Sequence, residues 1–200
     1  MSHHYEGPDL IVRKIEVGTM ENNVYVLECP HTHEGFLIDG CFETDKILAG
    51  AEGVEIVGIL QTHGHMDHVQ ALPELKEKLG VPVYAHPGDE YPISIDRQLT
   101  DGEELKFGKD HIVTVLHTPG HTPGGVCFLT GKHLISGDSL FPGGPGNTWG
   151  DKENFELLVS NIETKLFTLP DGTPVYPGHG KDTTIGAEKP HLQEWKDRGW

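Results

Sequence analysis

His63, His65, Asp67 and His68 fall within six positions of Thr62-His63-Gly64-His65-Met66-Asp67-His68. Imidazole nitrogens and carboxylate oxygens are ligands that divalent metals take from proteins. Two histidines at i and i+2 in extended backbone point the same way and can share one ion. Asp67 and His68 stand at the start of the helix expected to follow, so they turn toward a different point. One short turn can therefore feed two adjacent metal positions. The bland alternative is a solvated polar loop.

Three further segments repeat the form, a ligand-capable residue beside glycine at the end of an expected strand. They are Thr118-Pro119-Gly120-His121-Thr122, Ser136-Gly137-Asp138-Ser139 and Tyr176-Pro177-Gly178-His179-Gly180. Glycine permits tight turns and close approach of backbone to a bound ion. Each segment alone is a weak signal. Together the four supply five histidines (His63, His65, His68, His121, His179) and two aspartates (Asp67, Asp138). That is enough for two divalent ions with an open position. The ligand types do not name the metal: zinc is the first expectation, with iron or manganese compatible.

The elements that must position these residues can be read from apolar periodicity and turn signals. Strands are expected over residues 10–17, 24–29, 35–38, 56–61 and 81–84, and helices over 44–51 and 69–79. After Asp101 the texture changes. Strands are expected over 104–107, 112–116, 126–129, 133–135 and 174–176, with a Gly- and Pro-rich loop over 141–150. An amphipathic helix is expected over 154–166, with Phe155, Leu158, Val159, Ile162 and Leu166 on one face, and a closing helix over 188–195. The β-branched run 56–61 delivers His63 to the carboxyl end of a strand, where α/β proteins place ligands. Two halves of strand-then-helix texture predict an α/β fold with two packed sheets and helices outside. A chain of 200 residues suits one domain spanning 1–200.

In this order the seven residues resemble the metallo-β-lactamase superfamily, whose members carry His-x-His-x-Asp-His and then a His, an Asp and a His. The resemblance runs from the Asp39-Gly40 turn to His179. Within the superfamily the chain is similar to glyoxalase II (hydroxyacylglutathione hydrolase) and its short relatives. The resemblance implies a four-layer αβ/βα sandwich. It implies that His63, His65 and His121 hold a first metal, that Asp67, His68 and His179 hold a second, and that Asp138 bridges. Two such cations make a bridging hydroxide available near neutral pH and polarise a substrate carbonyl. Asp67 and Asp138 are then the catalytic candidates, Asp67 as the group that orients the hydroxide. Asp39 is a candidate partner for a ligand histidine, the alternative being a plain turn residue before Gly40. The implied activity is metal-dependent hydrolysis of a thioester, ester or lactone. Two other readings use the same scaffold. One is a mononuclear iron persulfide (sulfur) dioxygenase with only His63, His121 and Asp138 on the metal. The other is a non-catalytic metal-binding module.

Departures from the family pattern narrow the reading. Asp138 separates the chain from the superfamily's β-lactamases, which usually carry Cys or Ser there. His65, where the flavodiiron branch has Glu, separates it from that branch. Glyoxalase II has a Gly-Gly-Cys-Gly-Arg-like loop where this chain has Gly143-Gly144-Pro145-Gly146-Asn147. The helical extension by which full-length glyoxalase II grips glutathione is also expected to be missing. Loss of the basic rim residue should change substrate choice more than chemistry. Phe141, Asn147, Trp149 and Tyr91 are candidates to line the substrate cleft, because loops after strands carry specificity; ordinary packing is the alternative.

Composition argues against nucleic-acid and membrane partners; a small-molecule substrate is what the resemblance implies, and the oligomeric state stays open. The formal charge of −16 argues against binding nucleic acid or an anionic membrane surface. No apolar run is long enough to span a bilayer. The segment Met1-Ser2-His3-His4-Tyr5-Glu6 lacks a signal-peptide pattern, so a cytoplasmic location is expected. Cys29, Cys41 and Cys127 are odd in number and show no Cys-x-x-Cys spacing, which fits buried thiols in a reducing compartment. Structural roles are expected for His86 and His117, surface or partly packed positions for His111, His133 and His191, and an exposed hairpin turn for His31 and His33.

Overall fold

Alternation along the strands decides the layering. Tyr25, Leu27, Phe36, Ile38 and Leu60 point one way and pack with Val113, Val126, Phe128, Ile135 and Tyr176. Their chain neighbours Val24, Val26, Leu37 and Ile59 point the other way, onto Ile47, Leu72 and Leu75. In the second half, Cys127, Leu134 and Val175 face Phe155, Leu158, Ile162 and Trp195. A side-chain period of two lets each central strand bury both faces. The result, in a computed structural model that describes residues 3–199, is the expected four-layer αβ/βα sandwich with three apolar seams.

The first sheet runs in chain order: β1 (Tyr5–Glu6), β2 (Ile11–Val17), β3 (Asn22–Glu28), β4 (Glu34–Ile38), β5 (Glu55–Leu60), β6 (Val83–Ala85) and β7 (Arg97–Gln98). Pairing is antiparallel from β1 to β4 and parallel from β4 to β7. Parallel neighbours need crossovers. These are α1 (Thr44–Gly50) before β5, then α2 (Met66–Val69) and α3 (Leu72–Leu79) before β6.

The second half continues with β8 (Glu104–Phe107), β9 (His111–His117), β10 (Val126–Thr130), β11 (His133–Gly137), a small hairpin of β12 (Leu140–Phe141) and β13 (Gly144–Pro145), and α4 (Lys152–Asn161). It closes with β14 (Pro174–Pro177), β15 (Thr183–Thr184), α5 (Ile185–Glu188) and α6 (Leu192–Arg198). The second sheet has the order β15-β14-β11-β10-β9-β8, with only β11 and β14 parallel.

Several expected elements shift for local reasons. The helix expected over 69–79 is two helices, because Pro73 fits only a first turn and starts α3 anew. The helix expected over 154–166 begins earlier, where the Asp151 carboxylate accepts from Asn154 N at 2.9 Å, and its last turn, Ile162–Leu166, widens to a π-helix. The loop expected over 141–150 contains the β12–β13 hairpin. His133, expected near the surface, is buried, its Nδ1 3.0 Å from Tyr176 Oη. All three cysteines are buried and free. Among the described residues no helix is long and apolar enough to cross a membrane.

Candidate metal centre

Parallel pairing gathers the chemistry at one edge. Ile38 pairs with Leu60, so Asp39 and the Gln61-Thr62-His63 turn leave the first sheet side by side. Gly137 pairs with Pro177, so Asp138 and Gly178-His179 leave the second sheet side by side. Bonds between the two halves seal this edge. Thr62 O accepts from Val126 N at 2.8 Å, Gly178 O from Asn23 N at 2.7 Å, and Pro177 O from Tyr25 Oη at 2.8 Å. A side chain at position 178 is impossible here, since a Cβ would lie 2.2 Å from Asp138 Oδ1.

Hydrogen bonding sets the histidine tautomers. Carbonyl and carboxylate oxygens can only accept, so a ring nitrogen facing one must carry the proton. His68 Nδ1 donates to Asp39 Oδ2 (2.9 Å), His121 Nδ1 to Asn147 O (2.8 Å) and His179 Nδ1 to Met20 O (2.9 Å). Thr62 Oγ1 gives its proton to Asp39 Oδ2 (2.8 Å) and so accepts from His63 Nδ1 (3.0 Å). Four rings therefore turn Nε2 inward, the nitrogen left for a metal, which is how metal-ligating histidines are held. His65 differs and turns its Nδ1 inward, 3.1 Å from His63 Nε2 and 3.0 Å from His121 Nε2. His68 Nε2 and His179 Nε2 meet at 3.1 Å.

These nitrogens converge ring on ring, an arrangement that needs positive charge between them, a proton or a metal ion. The carboxylates agree. Asp138 Oδ1 is buried with no hydrogen-bond partner and lies 3.5 Å from His68 Nε2. Its Oδ2 lies 3.5 Å from His121 Nε2 and 3.4 Å from His179 Nε2, so one carboxylate reaches both groups of histidines. Asp67 Oδ2 lies 3.3 Å from His179 Nε2 and accepts from Asn22 Nδ2 at 3.0 Å. The donor set fits two cations. His63, His65 and His121 form one three-ligand group, and Asp67, His68 and His179 another. A third grouping, Asp39, Cys41 and His68, lies on the far side of the His68 ring, where Nδ1 is already committed to Asp39. Burial pushes the Cys41 thiol up to about 11, so in the free protein it is a neutral thiol beside that ring.

Electrostatics separate the two groups: burial opposes charge on His68, but its bond to Asp39 pushes it well above the usual imidazole value. Burial and the neighbouring histidines hold His63 well below the usual imidazole value, and burial also lowers His121. Burial opposes ionisation of Asp138, but His179, His68 and His121 outweigh it and keep the carboxyl below its usual range. Asp67 is likewise lowered against its burial, by His179 and His68. Burial opposes charge on His179, yet Asp138 and Asp67 push its pKa up to about 10. The second group therefore holds a proton tightly where a cation would sit.

The structure brings all seven candidate ligands together, and Asp39 lies within hydrogen-bond distance of His68. Trp149 stands over the first group, its ring 5.3 Å from that of His65 and 5.2 Å from that of His121. Phe141 is 6.3 Å from the His179 ring. Asn147 acts through its backbone carbonyl on His121, while its Oδ1 accepts from Trp149 N at 2.7 Å. Tyr91 packs against the helix-covered seam instead. His86 and His117 stack on each other at 3.9 Å, in keeping with a structural role. Sequence reasoning missed Asp89, which ties the two loops of the first group together. Its carboxylate accepts from Gly64 N (2.8 Å), Thr122 Oγ1 (2.7 Å) and Gly124 N (2.7 Å). It also missed Asn22 and Asn23, which lie at the start of β3 and bind Asp67 and Pro177 O.

Residues 17–179 match the family model of the metallo-beta-lactamase superfamily. The chain belongs to that superfamily. It is 34% identical to hydroxyacylglutathione hydrolase GloC of Haemophilus influenzae, over 76% of this chain and 83% of GloC. The crystal structure of TTHA1623 in a di-iron-bound form superposes with a TM-score of 0.77 at 35% identity, over 88% of this chain and 96% of that one. That of ETHE1 from Myxococcus xanthus superposes with a TM-score of 0.82 at 30% identity, over 91% and 83%. The chain is thus a metallo-β-lactamase-superfamily protein with candidate His/Asp metal sites at the shared edge of its two sheets.

Proposed function

We propose that this protein is a dinuclear metal-dependent hydrolase of a thioester, ester or lactone. The observation that carries the reading is Asp138, whose two oxygens face both three-ligand groups from a buried position with one oxygen unsatisfied. His63, His65 and His121 would hold one ion, Asp67, His68 and His179 the other, with Asp138 shared. Bound there, two divalent ions supply a water of lowered pKa and Lewis acidity for the substrate carbonyl. Zinc suits the nitrogen and oxygen donors, and the di-iron form of TTHA1623 makes iron the competing choice.

The protein's own groups do the rest. Asp67, ionised and fixed by Asn22, offers a carboxylate oxygen that can accept a hydrogen bond from the attacking water and orient it. Asp39 and Thr62 keep the His68 and His63 protons on Nδ1, away from the reacting atoms. The similarity to GloC supports a thioester among the substrates.

Metal analysis of purified protein, hydrolysis of S-lactoylglutathione and a lactone panel, and oxygen uptake on glutathione persulfide test the reading together. Two zinc ions per chain with hydrolysis are expected. One iron with oxygen uptake would establish the mononuclear dioxygenase instead, and neither activity in metal-loaded protein would leave a binding module. Asp138→Ala should lose metal and turnover together; retained turnover would refute its shared role.

A further inference from the structure

His179 hangs between two glycines, Gly178 and Gly180. Gly180 has φ +64°, and glycine restricts its own backbone least of all residues. The local chain therefore does not decide where the His179 ring points. Bonds from outside the turn must do so, and the β2–β3 hairpin supplies most of them. Met20 O accepts from the ring at 2.9 Å, Glu21 O accepts from Gly180 N at 2.9 Å, and Asn23 N donates to Gly178 O at 2.7 Å.

One support from this hairpin carries a charge. Lys14, which pairs with Tyr25 across it, donates from Nζ to Gly180 O at 2.7 Å and to Asp182 Oδ1 at 2.7 Å. One bond ends on the residue next to His179, the other three positions beyond it. The Lys14 side chain is only 14% exposed, and lysine is rarely hidden unless paired. Hydrogen bonds from an ammonium are about twice as strong as neutral ones. Asn23 Nδ2 shares Gly180 O at 3.0 Å but brings no charge. The first group is held in the complementary way, since the Asp89 carboxylate collects the N–H groups of Gly64 and Gly124. In each half, a glycine-bearing turn that carries a candidate ligand is tied by one charged side chain from elsewhere in the chain.

We infer that Lys14 is a positioning residue of the second metal position: its clamp on Gly180 and Asp182 sets where His179 presents Nε2. This rests on the dinuclear reading above and adds a residue that acts only through His179.

The test is Lys14→Met, which keeps an unbranched stem and removes the donor. Loss of a supporting partner costs about 10–100-fold in metal affinity; with Asn23 still on Gly180 O, about tenfold is expected for the second ion and less than about twofold for the first. Stepwise zinc and cobalt titration against a competing chelator reads both. Lys14→Arg, which keeps donors and charge, should recover most of the loss. In the metal-free protein, the side-chain NMR signals of the His179 ring should move in Lys14→Met while those of His63 and His121 hold. Unchanged second-ion affinity, an equal loss at both ions, or no recovery in Lys14→Arg would overturn the inference. A tighter second ion would overturn it too, as the mark of a cation that merely repels the metal. If Lys14→Met fails to fold, Asp182→Asn decides: a loss confined to the second ion supports the clamp, and wild-type affinity overturns it. One ion per chain in the wild type would sink the dinuclear reading. The His179 signals would then decide the clamp alone: a shift in Lys14→Met keeps it, and no shift overturns it.

Discussion

Asp39→Asn is the sharpest probe of how the protein prepares its histidines. Asp39 has φ +66°, and Asn tolerates that conformation, so the backbone should hold. The carboxylate is buried and accepts three bonds: from Thr62 N (2.8 Å), Thr62 Oγ1 (2.8 Å) and His68 Nδ1 (2.9 Å). In the variant the amide oxygen can keep the Thr62 N–H, which leaves the NH2 facing His68 Nδ1. Two N–H groups then collide, or His68 changes tautomer and puts a proton on Nε2, the atom 3.1 Å from His179 and 3.5 Å from Asp138. Either outcome works against the second ion. Loss of such a supporting partner costs about 10–100-fold in metal affinity, which is about 1.4–2.7 kcal/mol. Burial puts Asp39→Asn near the upper end, because an unsatisfied buried donor costs about 1–3 kcal/mol. The first ion feels it one step removed, through Thr62 Oγ1 to His63 Nδ1, and should lose less than about tenfold. Thr62→Val should reverse the ranking, since it removes the His63 partner and spares the Asp39–His68 bond. Stepwise metal titration against a competing chelator, followed in the cobalt-substituted protein, reads both positions. Wild-type affinity for both ions in Asp39→Asn would refute the reasoning, as would the same ranking in both variants.

Asp89→Ala should weaken the first ion selectively, by about tenfold or more, because it unties the Gly64 turn from the Thr122-Gly124 loop; equal loss of both ions in metal analysis would contradict this. Metal uptake should release protons. His179, pushed up to about 10, is protonated in the free protein at pH 7 and must deprotonate to bind, so apparent affinity rises with pH until about that value. Calorimetry in buffers of different ionisation enthalpy should show at least one proton released per chain at pH 7, and none would refute the assignment. Arg13→Ala should cost about 1–3 kcal/mol in denaturant unfolding, because it leaves the buried Glu28 carboxylate, which Arg13 contacts at 2.7 and 3.0 Å, with His33 as its remaining side-chain partner. Burial alone would raise Glu28, but His33 and Arg13 hold it below its ordinary value of 4.5. Its stabilising share is therefore present above about pH 4.5 and lost on acidification below that. A variant whose deficit does not shrink in acid would show that another group is responsible.

The candidate ligand set was legible because each of its residues sits in a short strand-to-turn segment whose form repeats along the chain. The layering was legible because alternation in stretches such as Val24-Tyr25-Val26-Leu27 sorts side chains to two faces. What holds the ligands was not. Asp89 acts on Gly124, 35 residues away, and no local pattern marks that bond. Asn22 and Asn23 lie just before the expected strand 24–29, and their partners come from α2 and β14, far along the chain. His133 is buried by Tyr176 of another strand, which periodicity around His133 cannot reveal. Pro73 was visible, but the spacing of Val69, Leu72, Leu75 and Leu79 runs across it and hid the break. The two-residue strands β1, β7 and β15 are too short for any periodic signal.

The two supports of the centre divide its work. Asp39 anchors ligands from the buried side and belongs to the packed edge of the first sheet. The 141–150 loop reaches the centre from the open side, and one of its links is the bond from His121 Nδ1 to Asn147 O. That bond uses the backbone of position 147, not its side chain. A residue here can therefore change from basic to neutral without disturbing His121, while the loop's side chains, Trp149 among them, reset what the rim accepts. Relative to the Arg-bearing loop that the resemblance to glyoxalase II leads one to expect, Gly143-Gly144-Pro145-Gly146-Asn147 offers the carbonyl that orients His121 without a charge that would select an anionic substrate. A chain with Asn147→Arg should accordingly keep its metal affinity in the chelator titration and gain on anionic thioesters relative to neutral ones. Loss of metal in that variant would show that the side chain, and not the carbonyl, carries the support.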